Sequence, residues 1–264
     1  MIISLKSPSV LKNIININCG SSSPPLAGHI DLSGLENLEN FRCTSNGLTG
    51  LYGYGDNEKL INITANNNVI SNTIERLDNK PLSIIFLHSN QFTGSIPPLP
   101  ASSVRVLFNS NPNLTGNIPS LSSLSLLQNF SVSNCSLEGE IPSLTACVKL
   151  KTFVTSSQLG AIKLTGGIGH LNFNPILEDF VISNNQISSW IGGTVSSSLG
   201  YFIASNNLFD SSAIDSILQE FVNAGKASGY RVLIIGGPGN QAPSPAGIVN
   251  KNILISRGWT VTTN

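Results

Sequence analysis

Apolar positions along this chain recur in two interlocked patterns. The first is a short phrase: Phe92-Thr-Gly-Ser-Ile-Pro97, Leu114-Thr-Gly-Asn-Ile-Pro119 and Leu137-Glu-Gly-Glu-Ile-Pro142, at a nearly constant spacing. Carrying that register backwards one period at a time lands on Ile70, Leu48 and Leu26. The second pattern begins ten positions before each anchor. Leu38, Phe41, Cys43, Asn46 and Leu48 form one copy; Leu60, Ile63, Ala65, Asn68 and Ile70 the next; then Leu82, Ile85, Leu87, Asn90 and Phe92. Further copies are Leu127, Phe130, Val132, Cys135 and Leu137; Leu177, Phe180, Ile182, Asn185 and Ile187; and Leu199, Phe202, Ala204, Asn207 and Phe209. A fixed internal period of this length is the mark of a solenoid.

The physics of the pattern is simple. Alternation along a short strand sends its apolar residues to one side. The ladder positions Asn46, Asn68, Asn90, Asn185 and Asn207, with Cys135 in the same place, turn the chain and can bond backbone groups of neighbouring coils. Each satisfied bond is worth about 1 kcal/mol net. No coil buries its apolar face alone, so stacking makes the core. Each inward Leu, Ile or Phe then contributes roughly 1.5–3 kcal/mol.

Over residues 26–264 these copies resemble the leucine-rich-repeat family, in its LTGxIP-type variant. The resemblance implies an α/β solenoid: a right-handed coil with a parallel concave β-sheet and about eight or nine coils, repeating over residues 38–209. Two coils depart from the pattern. Around Val104 to Leu114 the ladder position shifts into Asn111-Pro112-Asn113, and after Gln158 an insertion, Leu159 to His170, is expected to bulge or loop.

Residues 1–37 are expected to form an irregular N-terminal cap with a degenerate first coil. Residues 210–264 read as a closing β-α-β cap. Apolar residues spaced from Ala213 to Val222 mark an amphipathic helix, with Ser211 or Ser212 as N-cap and Gly225 near its end. Arg231 to Ile235 reads as a strand, Ser244-Pro245 as the start of a second helix, and Trp259 to Thr262 as a last strand. This tail, with Gly236-Gly237, Asn240, Pro243 and a terminal Gly258-Trp-Thr-Val-Thr262, resembles the ending of repeat proteins from bacteriophages and some bacteria.

Composition narrows the function classes. Charged residues make up 11 % of the chain, and Lys plus Arg equals Asp plus Glu at 14 each. A neutral chain has no long-range field to attract nucleic acid or an anionic membrane, and little self-repulsion to oppose homo-oligomers. No apolar run reaches the ~18 residues a membrane helix needs. The opening stretch from Met1 to Gly20 carries Lys6, Lys12 and several Asn, unlike a secretory signal. The four cysteines, Cys19, Cys43, Cys135 and Cys147, form no CxxC, so neither a zinc site nor a disulfide framework is expected. Cofactors and metals are expected to be absent.

Candidate chemistry is thin. His29, His88 and His170 lie far apart in sequence, and no serine sits in a GxSxG elbow. Gly236-Gly237-Pro238-Gly239 has neither dinucleotide-fold nor phosphate-loop spacing and reads as a tight turn. Glu138 with Glu140, and Glu178 with Asp179, read as solvated acids, and four Asn-x-Ser/Thr triplets are what an Asn- and Ser-rich chain produces by accident.

The informative surface is the outward side of the sheet. The anchor register places Ile84, Phe86, Val106 and Phe108 there as one apolar patch, with His88 beside it, and Val181, Tyr201 and Ile203 as a second. Contiguous exposed apolar surface marks an interface. The expectation is a non-enzymatic binding or structural protein whose partners are other proteins. The ending points to a virion component, in the capsid, tail or fibre, assembled in host cytoplasm. The competing expectation is a bacterial or host surface-recognition module for a protein receptor or glycan.

Overall fold

The computed structural model describes residues 3–4, 11–225 and 229–264. Its backbone is one parallel sheet of eleven strands. They run in chain order from Asn16–Asn18 through Asn40–Arg42, Asn62–Thr64, Ile84–Phe86, Arg105–Leu107 and Asn129–Ser131. The order continues with Thr152–Val154, Asp179–Val181, Tyr201–Ile203, Val232–Ile234 and Thr260–Thr262. Each strand of the repeat is three residues long with its central residue buried, and centres pair with centres: Phe41 with Ile63, Ile85 with Val106, Phe153 with Phe180. Smaller parallel sheets follow the anchor phrases, one of them joining Thr115–Asn117, Ser136–Glu140 and Leu164–Thr165.

A single hydrophobic core runs from Ile30 to Trp259. Where successive coils carry the same residue, side chains stack directly. Phe130, Phe153, Phe180 and Phe202 form a column with ring centroids 5.5, 5.4 and 5.6 Å apart. The column then meets Phe221 edge-on at 5.3 Å, and Phe221 meets Trp259 edge-on at 5.2 Å. Each such pair adds about 0.5–1.5 kcal/mol beyond the burial of its area.

The ladder residues bind coil to coil. Asn90 accepts from Ile70 N at 3.0 Å and donates to Ala65 O at 2.9 Å; Asn68 and Asn207 repeat the arrangement with Leu48 N and Cys43 O, and with Ile187 N and Ile182 O. Asn46 accepts from Leu26 N and donates to Cys19 O. Cys135 donates weakly to Phe108 O at 3.5 Å. Gln158 and Asn240 serve as full ladder members, which the repeat pattern did not single out. The residue before each ladder member is left-handed: Ser45, Asn67, Ser89, Ser110, Asn134, Ser157, Asn184 and Asn206 all have φ between 54° and 59°. Four of these are Asn, which tolerates that conformation through its local hydrogen bonding, and four are Ser.

Four expectations need correction. Val106 and Phe108 do not face outward; both are 0 % exposed. Asn111 follows Asn90 one position short of the period, and the missing residue returns before Leu114. The anchors therefore keep their spacing while the strand slips by one, and a one-residue slip exchanges the faces of every side chain. Arg105 and Leu107 take the outward places.

Second, the insertion after Gln158 is not one loop. It contains Leu164-Thr-Gly-Gly-Ile168, an anchor phrase with Gly169 in place of the final proline, with strands at Leu164–Thr165 and Gly167–Gly169. The displaced anchor leaves a trace: Asn185 donates normally to Thr155 O, but its Oδ1 has no partner.

Third, the N-terminal segment is more regular than an irregular cap, because Asn16–Asn18 adds a rung to the sheet; residues 1, 2 and 5–10 of that segment lie outside the described residues. Fourth, helix α1, Ser211–Ala224, is capped by Asp210, whose carboxylate accepts from Ala213 N at 2.8 Å, and not by either serine. Gly225 ends α1 at φ 61°. Helix α2, Pro245–Ser256, is capped by the Ser244 hydroxyl and has proline in its first turn.

Candidate binding face

The outward residues of the sheet come from the first and third positions of each strand. At the N-terminal end they are polar: the Asn62 amide donates to Asn40 Oδ1 at 2.5 Å, and the Asn40 amide to Asn16 Oδ1 at 2.7 Å. The next two strands change character. Ile84, Phe86 and Leu107 lie side by side and partly exposed, since Ile84 pairs with Arg105 and Phe86 with Leu107. The Arg105 guanidinium sits 5.0 Å above the Phe86 ring. His88 meets the same ring edge-on at 6.1 Å. Half-buried with its Nδ1 unpartnered, His88 is held below the usual imidazole pKa by desolvation.

Asn129 and Ser131 interrupt the apolar surface with one polar strand. Beyond it the third positions are Val154, Val181, Ile203 and Ile234 on four adjacent strands. Tyr201 is 38 % exposed beside Val181, and Tyr230, just before the Val232–Ile234 strand, is 79 % exposed. Thr152, Val154, Asp179, Val181, Tyr201 and Tyr230 enclose an open depression of about 440 Å³. Its walls are mostly aliphatic and aromatic, with the Asp179 carboxylate as the charged group at its edge.

Of the residues expected on this face, Ile84, Phe86, His88, Val181, Tyr201 and Ile203 are brought to it in two groups, and Val106 and Phe108 are not. Sequence reasoning missed Arg105 and Leu107 through the slipped coil. It also missed Tyr230, Val232 and Ile234, because they follow a helix and stand outside the repeat register. The alternation of Val232 and Ile234 was the available signal.

The arrangement offers little reactive chemistry. His29 and His170 pack against Tyr52 and Phe173, each far from His88 in the stack. The glycine turn that superficially suggests a phosphate loop is filled by the chain itself: Gly237 N donates to Asn264 Oδ1 at 2.6 Å. Among the described residues no group of three His, Cys, Asp or Glu side chains could hold a metal ion, and no helix is long and apolar enough to cross a membrane.

No family model matches the chain, and no curated protein matches it. Solved structures do. A TDR receptor is 23 % identical with a TM-score of 0.60, over 90 % of this chain and 45 % of that one. The plant peptide hormone receptor RGFR1, solved in complex with RGF2, is 18 % identical with a TM-score of 0.57, over 91 % and 46 %. The Arabidopsis receptor kinase HAESA, solved with the peptide hormone IDA and the co-receptor SERK1, is 24 % identical with a TM-score of 0.55, over 89 % and 48 %. The chain thus spans about half the length of each of these proteins. Period, ladder, parallel sheet and structural likeness agree on the fold: the chain is a leucine-rich-repeat solenoid.

Proposed function

We propose that this solenoid is a non-enzymatic protein-binding module that grips its partner on the outward face of the main sheet. The observation that carries this reading is the apolar depression of Val154, Val181, Tyr201 and Tyr230. Interface anchors are typically aromatic and aliphatic groups in a partly desolvated setting, with a polar rim. The polar strand between the two apolar groups favours an extended segment that touches both. From the Arg105 strand to the Tyr201 strand is four strand spacings, roughly 19 Å, which an extended peptide of about six residues covers. Arg105 would favour an acidic group at one end of it.

A displayed library of random peptides tests the reading. Selected binders should lose at least about tenfold affinity, or 1.4 kcal/mol, for Val181→Asp and Tyr201→Asp. They should be unaffected by Val148→Asp, which lies exposed on a turn away from the sheet. Failure to select binders, or binders indifferent to both sheet variants, would overturn it.

The setting we propose for this module is a virion, as a capsid, tail or fibre component. The support is the resemblance of the C-terminal ending, with Gly236-Gly237, Asn240, Pro243 and Gly258-Trp-Thr-Val-Thr262, to that of bacteriophage repeat proteins. Mass spectrometry of purified virions should detect the chain; its absence there would remove this part of the proposal and leave the binding face untouched.

A further inference from the structure

Cys19 and Cys43 are 24 residues apart in the chain, and the sheet brings them side by side. Asn18 pairs with Arg42, and the register holds past both cysteines: Cys19 N donates to Arg42 O at 2.8 Å, and Ser21 N donates to Thr44 O at 2.8 Å. In-register residues of neighbouring strands stand about 4.8 Å apart. That lies inside the roughly 4.4–6.8 Å between Cα atoms that a disulfide spans.

Both side chains turn to the core, Cys43 fully buried and Cys19 packed against it and partly exposed. Cys19 Sγ donates to Arg42 O at 3.5 Å, and Cys43 Sγ to Cys19 O at 3.5 Å. The two thiols also hydrogen-bond each other. That bond holds Cys19 below the usual thiol range and, with burial, pushes Cys43 up. The Asn46 amide donates to Cys43 Sγ at 3.6 Å, where it would stabilise a thiolate.

The other two cysteines show the ordinary role of a buried thiol. Cys135 donates to Phe108 O and Cys147 to Leu121 O, and burial pushes both up to about 11. Thiols of that kind are inert small hydrophobes. Cys19 and Cys43 differ in having each other.

We propose that Cys19 and Cys43 form a redox site, a dithiol that a low-molecular-weight disulfide of the glutathione type converts to an intramolecular disulfide. The Cys19 thiolate attacks one sulfur of the oxidant; a Cys19–oxidant S–S bond forms and the first oxidant thiol leaves. Cys43, having lost its proton, attacks Cys19 Sγ and expels the second. The protein loses two electrons and two protons, and the oxidant gains them as two thiols. The new bond ties the Asn16–Asn18 rung to the Asn40–Arg42 rung and closes the chain between them, which restricts the unfolded state.

Incubating the folded full chain in reduced and oxidised glutathione at graded ratios, then acid-quenching, denaturing and alkylating it, tests the proposal. All four cysteines should alkylate at the reducing limit. At the oxidising limit only Cys135 and Cys147 should, with a loss of two hydrogens and a Cys19–Cys43 cross-linked peptide in the digest. Cys43→Ser should stop at the glutathione adduct on Cys19, and Cys19→Ser should keep its three thiols free. If either variant misfolds, the mapped link in the parent carries the test. Amide exchange at Cys19 and Ser21 should slow at least about tenfold on oxidation and recover with dithiothreitol. Four free thiols at every ratio, or a link made by Cys135 or Cys147, would overturn the site; unchanged exchange in the oxidised chain would overturn the tying of the two rungs.

Discussion

A ladder side chain meets backbone groups of two coils at once, and its failures are as informative as its successes. Asn90 satisfies an N–H and a carbonyl of the preceding coil and a carbonyl of its own, whereas Asn185, facing a displaced anchor, leaves Oδ1 unpaired. The same scale decides which face a residue joins. Val106→Asp should cost about 4 kcal/mol or more, because it buries a carboxylate, while Leu107→Asp should stay within about 1 kcal/mol. Urea unfolding of the two variants checks this, and equal losses would contradict the strand register described. His88 makes a pH prediction. Burial lowers its pKa from the ordinary 6.5, so the unfolded chain binds more protons as the solution is acidified. Stability from this residue is complete above about pH 6.5 and is lost as pH falls towards the depressed value. His88→Gln should therefore show a smaller drop in urea midpoint between pH 7.5 and 5 than the parent; parallel curves would refute the assignment.

At the scale of elements, the repeat tolerates irregular spacing as long as the strand and the ladder stay together. The coil with Asn111 loses a residue before the ladder and regains it after; the coil with Gln158 keeps strand and ladder together and places its extra residues before Leu164. Both were visible as disturbances in the sequence, but not their resolution. The strand slip depends on which residues fit between Ile85 and Phe130, and the anchor phrase at Leu164 had left the counted register. Helix α1 shows a smaller version of this limit. Asp210, Ser211 and Ser212 are all competent caps, and only the path of the chain out of Phe209 selects Asp210. Asp210→Ala should lower stability by about 1 kcal/mol, and Ser212→Ala by a few tenths at most, measured as thermal midpoints.

For the whole molecule, stability is a sum of coils and of contacts between neighbours, so damage at an end should spread only a short way. Trp259 closes the core against Phe221 at that end. Trp259→Ala should cost about 3–5 kcal/mol locally. Hydrogen exchange should show it first in the strands Val232–Ile234 and Tyr201–Ile203, with Ile63 and Ile85 protected as before; uniform loss of protection would show that the solenoid unfolds as one unit. Sequence by itself determined the architecture of this protein: period, ladder and inward apolar residues repeat often enough that local errors cancel, and the closing helices carry their own apolar spacing. It also placed Ile84, Phe86, Val181, Tyr201 and Ile203 on the outward side of the sheet, and wrongly put Val106 and Phe108 there. Only the tertiary structure decided which residues complete the two apolar groups. Arg105 and Leu107 replace Val106 and Phe108, and Tyr230 joins Tyr201 although the whole of α1 lies between them in the chain. The reason is physical: a fold is held by many equivalent contacts and survives a slip in one coil, whereas a surface is made of particular side chains, and one residue of register turns each of them to the opposite face.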